Sequence, residues 1–202
     1  LHGYYDTIQA QLSRLVRSGL TEESVRSAHG ALYASLRSSL ITMRALQRKL
    51  RGHLQTDLAG EIIRVLQEER PRIAESGLGR IRLDQRGSVS PRVFVDPSDL
   101  REVLRNLLSN SLRAMSGSRV RELTLAIRSE GEDVRLEFAD TGCGVPGEKW
   151  EQIFTAEGTT RRGGGFGLPH ARLVLQEYRG WIEVAASEPG RGTTMVVMFK
   201  AA

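Results

Sequence analysis

The sequence predicts an α+β protein: an N-terminal antiparallel helical hairpin over residues 1–56, then a two-layer α/β sandwich over residues 57–202. Three observations predict it. Apolar residues in the first fifty positions recur at three and four, the helical period. From Leu123 onward four runs alternate every second residue, the strand period. Of the 21 glycines, only Gly3, Gly19, Gly30, Gly52 and Gly60 fall in the first sixty residues, while 163–167 holds four. Glycine serves positive φ and close backbone approach, so a site is expected in the second half.

Tyr5, Ile8, Leu12 and Leu15 draw one apolar stripe, stopped by Ser18-Gly19. Thr21 then reads as a helix N-cap, with Glu22 and Glu23 at the positive end of the dipole. The next stripe runs Val25, Ala28, Leu32, Leu36, Leu40, Met43, Leu46, Leu50. A helix of about 30 residues is ~45 Å long. A hairpin alone cannot hide both stripes, which predicts a second copy and a four-helix bundle.

Ile62, Ile63 and Leu66 open another helix that runs to about Ser76-Gly77, with Pro71 either bending it or marking a new first turn. Short strands are expected at Ile81–Leu83 and Val93–Val95. Asp96-Pro97-Ser98-Asp99 starts a helix through Leu100, Val103, Leu104, Leu107 and Leu108 to about Met115. The alternating runs are Leu123–Ile127, Val134–Phe138, Ile182–Val184 and Met195–Phe199. One apolar face per run predicts an antiparallel sheet covered on one side. Helices at about 147–154 and 167–178 add cover.

Composition excludes several classes. Lys plus Arg is 29 and Asp plus Glu 24, so the net charge is 29 − 24 = +5. The basic residues are interspersed and aromatics are only 5%, which disfavours nucleic acid as a partner. No run of about 18 apolar residues spans a bilayer. The single cysteine, Cys143, excludes an internal disulfide framework and a cysteine-based zinc site, and fits a cytoplasmic setting. The chain begins at Leu1 and reads as a fragment, so sensing or membrane segments are expected elsewhere in a longer protein.

Four local features stand in order. Asn106 and Asn110 are four apart and share a helix face with Arg113, three further on. Carboxamide oxygens and a guanidinium suit Mg²⁺ and phosphate; a polar helix surface has the same look. Asp140-Thr141-Gly142-Cys143-Gly144 ends a strand, with a carboxylate able to accept from an exocyclic amine and glycines that admit a flat ligand. Gly163-Gly164-Gly165-Phe166-Gly167-Leu168 opens a helix, whose amides cradle phosphate. It is neither a P-loop nor a dinucleotide fingerprint. Gly190-Arg191-Gly192-Thr193-Thr194 enters the last strand.

This order resembles the ATP-binding domain of sensor histidine kinases, the branch of the GHKL ATPases with N, G1, F and G2 boxes, over about residues 57–200. Ile153-Phe154 stands where the F box would. The resemblance implies a Bergerat-type sandwich that binds ATP and Mg²⁺. By the same resemblance Asn110 ligates Mg²⁺, with Asn106 beside it and Arg113 on phosphate. Asp140 accepts from the adenine amine, and Gly142 and Gly144 line the base pocket. Gly163, Gly165, Gly167 and Leu168 form the hinge and phosphate end of an ATP lid. Thr160 and Arg161 belong to a short lid, from which Arg161 or Arg162 reaches the γ-phosphate, and Thr194 sits near the base through water. Cys143, where the family often has proline, reads as a small tolerated residue.

The family's hairpin carries a phosphoacceptor histidine followed by an acid and later a proline, and no such string is present. His2 has the usual separation from the N box, 110 − 2 = 108 residues, with Gly3 in the place of the acid and Asp6 one turn on. His29 is the second candidate. The implied activity is autophosphorylation of a histidine and transfer to an aspartate on a response-regulator receiver domain. Two alternatives share the architecture: a phosphotransfer or nucleotide-binding module without autokinase activity, and a GHKL ATPase or protein serine kinase.

Overall fold

A computed structural model describes residues 54–85, 90–155 and 167–202. The hairpin expected over 1–56 falls outside these residues except for its last three, and His2 and His29 fall outside with it. In chain order the elements are β1 (Thr56–Asp57), α1 (Leu58–Glu68), α2 (Arg70–Glu75), β2 (Arg80–Gln85), β3 (Arg92–Val93) and α3 (Pro97–Ala114). Then come β4 (Glu122–Glu130), β5 (Asp133–Asp140), two 3₁₀ turns (Gly147–Lys149 and Gln152–Phe154), α4 (Gly167–Glu177), β6 (Trp181–Glu188) and β7 (Gly192–Lys200).

The main sheet has the order β2-β4-β5-β7-β6. It is mixed rather than antiparallel as expected, because β2 runs parallel to β4. The chain between these two strands carries α3, and a helical crossover delivers the next strand parallel. Alternation along an edge strand reports one covered face and says nothing of direction. The other neighbours are antiparallel. β4 and β5 are joined by Gly131-Glu132, with Gly131 at φ +64°. β1 and β3 form a two-stranded ladder of their own, and the strand expected at Val93–Val95 is Arg92–Val93, tied to the end of β7 where Phe94 N donates to Lys200 O at 2.8 Å.

Alternation along β5 is complete: Val134, Leu136, Phe138 and Asp140 are buried, and the residues between them are partly exposed. Directly paired residues share a face, so Phe199, Val197 and Met195 of β7 join them. The helices cover this face. α3 contributes Leu100, Val103, Leu104, Leu107 and Leu108, the predicted stripe, all buried. Asp96 caps α3, accepting from Ser98 N at 2.8 Å, and Pro97 takes the first turn where no N–H is needed. Truncating a side chain such as Leu107 costs about 2–5 kcal/mol through lost burial and the cavity left.

Two expected helices differ. The helix expected to run from Ile62 to Ser76 is two, broken at Glu69, with Pro71 in the first turn of α2. The helix expected at 147–154 is two single 3₁₀ turns. Trp150 Nε1 donates to Val145 O at 3.0 Å and draws the chain back on itself. Only Phe154 of these turns is buried, beneath the Arg172 guanidinium at 4.2 Å.

Candidate functional site

Asp140 is the last residue of β5 and the one carboxylate on the strand's buried face. Its Oδ2 accepts from Ser111 Oγ at 2.9 Å, and its Oδ1 accepts from Gly142 N at 2.9 Å. Burial pushes the carboxyl above its ordinary range; the amide of Gly142, the Ser111 hydroxyl and the amide of Thr193 oppose that by favouring the charged form. The group is desolvated yet provided with donors, which suits an acceptor aimed at a ligand N–H.

The loop after Asp140 is held at each step. Thr141 Oγ1 donates to Val120 O at 2.8 Å. Cys143 N donates to Ala114 O at 3.0 Å, and Gly190 N donates to Cys143 O at 2.8 Å. Gly142 has no room for a side chain: a Cβ would lie 2.6 Å from Ala114 Cβ. Gly144 has φ +71°, and a Cβ there would lie 2.0 Å from Glu188 O. These glycines bring the loop against the end of α3 and the β6–β7 turn. The Cys143 thiol is exposed, consistent with a position that packing does not specify.

The expected Thr194 pairs with Ala139, on the sheet face away from Asp140. Thr193 pairs with Asp140 and shares its face, and its hydroxyl lies 2.9 Å from Ser187 Oγ. Ser187 Oγ also accepts from Val145 N at 2.7 Å and donates to Gly192 O at 3.0 Å. The period of two, counted from Asp140 through the register, separates the two threonines; residue type alone does not. Ser111, which donates to Asp140, is not among the residues the sequence singles out. A hydroxyl in step with Leu104, Leu107 and Leu108 on an apolar stripe was the available signal.

α3 carries the other half of the site. Asn106 Nδ2 and Asn110 Nδ2 are buried and lack a hydrogen-bond partner among the described residues. Asn110 Oδ1 accepts from Arg113 Nη2. Gly167 opens α4 against Asn106, where a Cβ would lie 3.2 Å from Asn106 Oδ1. Leu168 follows on the same turn. Thr160, Arg161, Gly163 and Gly165 lie outside the described residues. Orphaned amide donors are costly when buried, so two on one helix face fit a group rich in acceptor oxygens. Among the described residues no cluster of three His, Cys, Asp or Glu is placed to hold a metal. The carboxamide oxygens of Asn106 and Asn110 are hard oxygen atoms of the kind that can ligate a divalent cation.

A buried carboxylate at a strand end, glycine turns around it and a covering helix with open carboxamides meet at one end of this α/β sandwich. Residues 95–202 match the family described as "Histidine kinase-, DNA gyrase B-, and HSP90-like ATPase", and the chain belongs to it. Its relatives are sensor histidine kinases. It is 32% identical to the sensor protein CitS of Bacillus subtilis over 123 residues, 58% of this chain and 22% of that protein. It is 32% identical to the sensor histidine kinase ZraS of Escherichia coli over 108 residues, 53% of this chain and 23% of that protein. The chain thus spans about a fifth of the length of these relatives. The catalytic domain of histidine kinase ThkA superposes with a TM-score of 0.63 at 22% identity, covering 73% of this chain and 95% of that one. Full-length ShkA in complex with AMPPNP gives 0.64 at 22% identity, covering 100% of this chain and 45% of that one. The sandwich therefore has the fold of histidine kinase catalytic domains. Among the described residues no helix is long and apolar enough to cross a membrane.

Proposed function

We propose that this chain is the catalytic core of a sensor histidine kinase, which binds MgATP, phosphorylates its own histidine and passes the phosphoryl group to a response-regulator aspartate. One observation carries the reading: α3 holds Asp140 through Ser111 and, on the adjoining turns, presents the open carboxamides of Asn106 and Asn110. A single helix thus links an acceptor for a base to donors for a phosphate chain.

In this reading Asp140 accepts from the adenine amine, and Gly142 and Gly144 keep the loop thin beside the ring. Thr193 replaces Thr194 as the hydroxyl near the base. Asn106 and Arg113 attend the phosphates, and Asn110 supplies an oxygen to Mg²⁺. The metal, when bound, neutralises charge on the phosphate oxygens. An imidazole nitrogen attacks the γ-phosphorus, an N–P bond forms, and the bond from phosphorus to the β–γ bridging oxygen breaks, releasing ADP. The protein's part is positioning and charge neutralisation. His2 is the proposed acceptor, residues 1–56 the dimerisation hairpin, and Thr160, Arg161, Gly163 and Gly165 the lid over the triphosphate.

The test is incubation of the whole chain with γ-labelled MgATP, beside His2→Ala and Asp140→Asn. Label that is acid-labile, alkali-stable, lost in His2→Ala and reduced in Asp140→Asn is the expected result. Label retained in His2→Ala moves the acceptor to His29 first. Acid-stable label marks a hydroxyl acceptor, and absence of both binding and label overturns the reading.

A further inference from the structure

α3 and α4 meet along a ladder of polar rungs. At one end Gly167 lies against Asn106. In the middle His170 Nε2 lies 2.9 Å from Glu102 Oε1. At the other end Tyr178, the residue after α4, donates its OH to Asp99 Oδ2 at 2.6 Å. Numbers fall along α3 as they rise along α4, so the helices run antiparallel and the rungs set their register.

The end rung at Tyr178 is satisfied and buried on both sides, as a structural bond should be. The middle rung is different. His170 is only 6% exposed. Its Nε2 is close to Glu102 without being aligned to donate, and Nδ1 has no partner among the described residues. A buried imidazole used this poorly costs stability, and an apolar side chain would pack there better. Departures from local consistency that bring no stability concentrate where function sets the residue. His170 lies one turn from Gly167, and Glu102 one turn from Asn106. The pair therefore acts on the spacing between the N-terminus of α4 and the Asn106 carboxamide.

We infer that His170 and Glu102 are positioning residues for the phosphate end of the nucleotide: they fix how closely the first turn of α4 approaches Asn106, and leave the base end at Asp140 untouched. This rests on the proposed placement of base and phosphates. Its consequence is a split between ligands. Adenosine engages the base end alone, whereas MgATP needs both ends.

The experiment measures dissociation constants for MgATP and adenosine, with melting temperature, on the whole chain. The variants are His170→Leu, Glu102→Ala and the double variant. His170→Leu is expected to melt at or above the wild-type temperature. Its MgATP affinity is expected to fall about tenfold, with adenosine affinity unchanged. The double variant should lose little more than either single one, because the two residues act as a pair. MgATP affinity that stays at wild type, or adenosine affinity that falls in parallel with MgATP, overturns the inference while leaving the ATP-binding reading in place. Wild-type protein that binds neither ligand overturns both.

Discussion

Ser111 Oγ donates to Asp140 Oδ2 at 2.9 Å, a buried bond between the last turns of α3 and the end of β5. It couples the helix that carries Asn106 and Asn110 to the carboxylate of the sheet. Ser111→Ala leaves that oxygen without its donor. Donors favour the charged form, so their loss pushes the already raised carboxyl up further. Stability is expected to fall by about 1–2 kcal/mol. Affinity for MgATP should fall about tenfold, because the acceptor is less well aimed and less well ionised. Titration calorimetry on wild type and variant checks both, and an unchanged affinity removes Ser111 from the site.

Asp140 also predicts a pH dependence. Its folded-state pKa is raised, with burial the largest cause. The folded state then holds this proton more tightly than the unfolded state. Its contribution to stability is present at low pH and is lost as pH rises from the ordinary carboxylate range through the raised value. Asp140→Asn keeps an acceptor for Gly142 N and places an amide toward Ser111 Oγ, which can accept. Urea midpoints compared at pH 4 and pH 8 should show the variant gaining on wild type as pH rises. A gain in the opposite direction contradicts the burial argument. The same variant should bind MgATP about ten- to a hundredfold more weakly, since a charged acceptor is replaced by a neutral one.

The sequence shows periodicity and chemistry better than it shows pairing. The stripe of α3, the four alternating strands and Asp140 at a strand end are all local patterns, and each stands where its period places it. The parallel β2–β4 ladder is a relation between distant segments, and nothing in Ile81–Leu83 records its direction. That Thr193 rather than Thr194 shares a face with Asp140 follows only from the β5–β7 register. Ser111 was legible only as an interruption of an apolar stripe, and its partner, 29 residues on, was not. The break at Glu69 turned on Pro71, whose two outcomes a period alone cannot separate.

Gly192 tests whether the β6–β7 turn supports the site. Its φ is +103°, and a Cβ would lie 1.9 Å from Asp140 O. The clash is with backbone, which cannot rotate away, and the dihedral is one that side-chain-bearing residues avoid. Gly192→Ala is expected to cost about 3 kcal/mol or more, and to move the Asp140 carbonyl. Gly190, at φ +80° with open space around it, is the internal comparison. Gly190→Ala pays only the dihedral cost, about 1 kcal/mol. Urea denaturation of the two variants measures the difference, and equal losses would mean that the contact with Asp140 contributes nothing.

Arg121 carries a prediction about stability away from the ligand. Its guanidinium donates to three backbone carbonyls: Ser76 O at 2.5 Å, Ser116 O at 2.8 Å and Ser118 O at 3.2 Å. Ser76 ends α2, and Ser116 and Ser118 lie between α3 and β4, so one side chain fastens two chain reversals. Helix C-termini leave carbonyls without intrahelical donors, and a cation there also meets the negative end of the dipole. Arg121→Ala is expected to lower stability by about 2–3 kcal/mol, after allowance for partial exposure of the bonds. Arg121→Lys should recover less than half of that. An ammonium on a flexible stem reaches one carbonyl at a time, whereas the planar fork reaches three. Thermal and urea unfolding of the pair decide between fork geometry and charge. Full recovery by lysine would show that the positive charge alone stabilises the junction, and the three directed bonds would then contribute little.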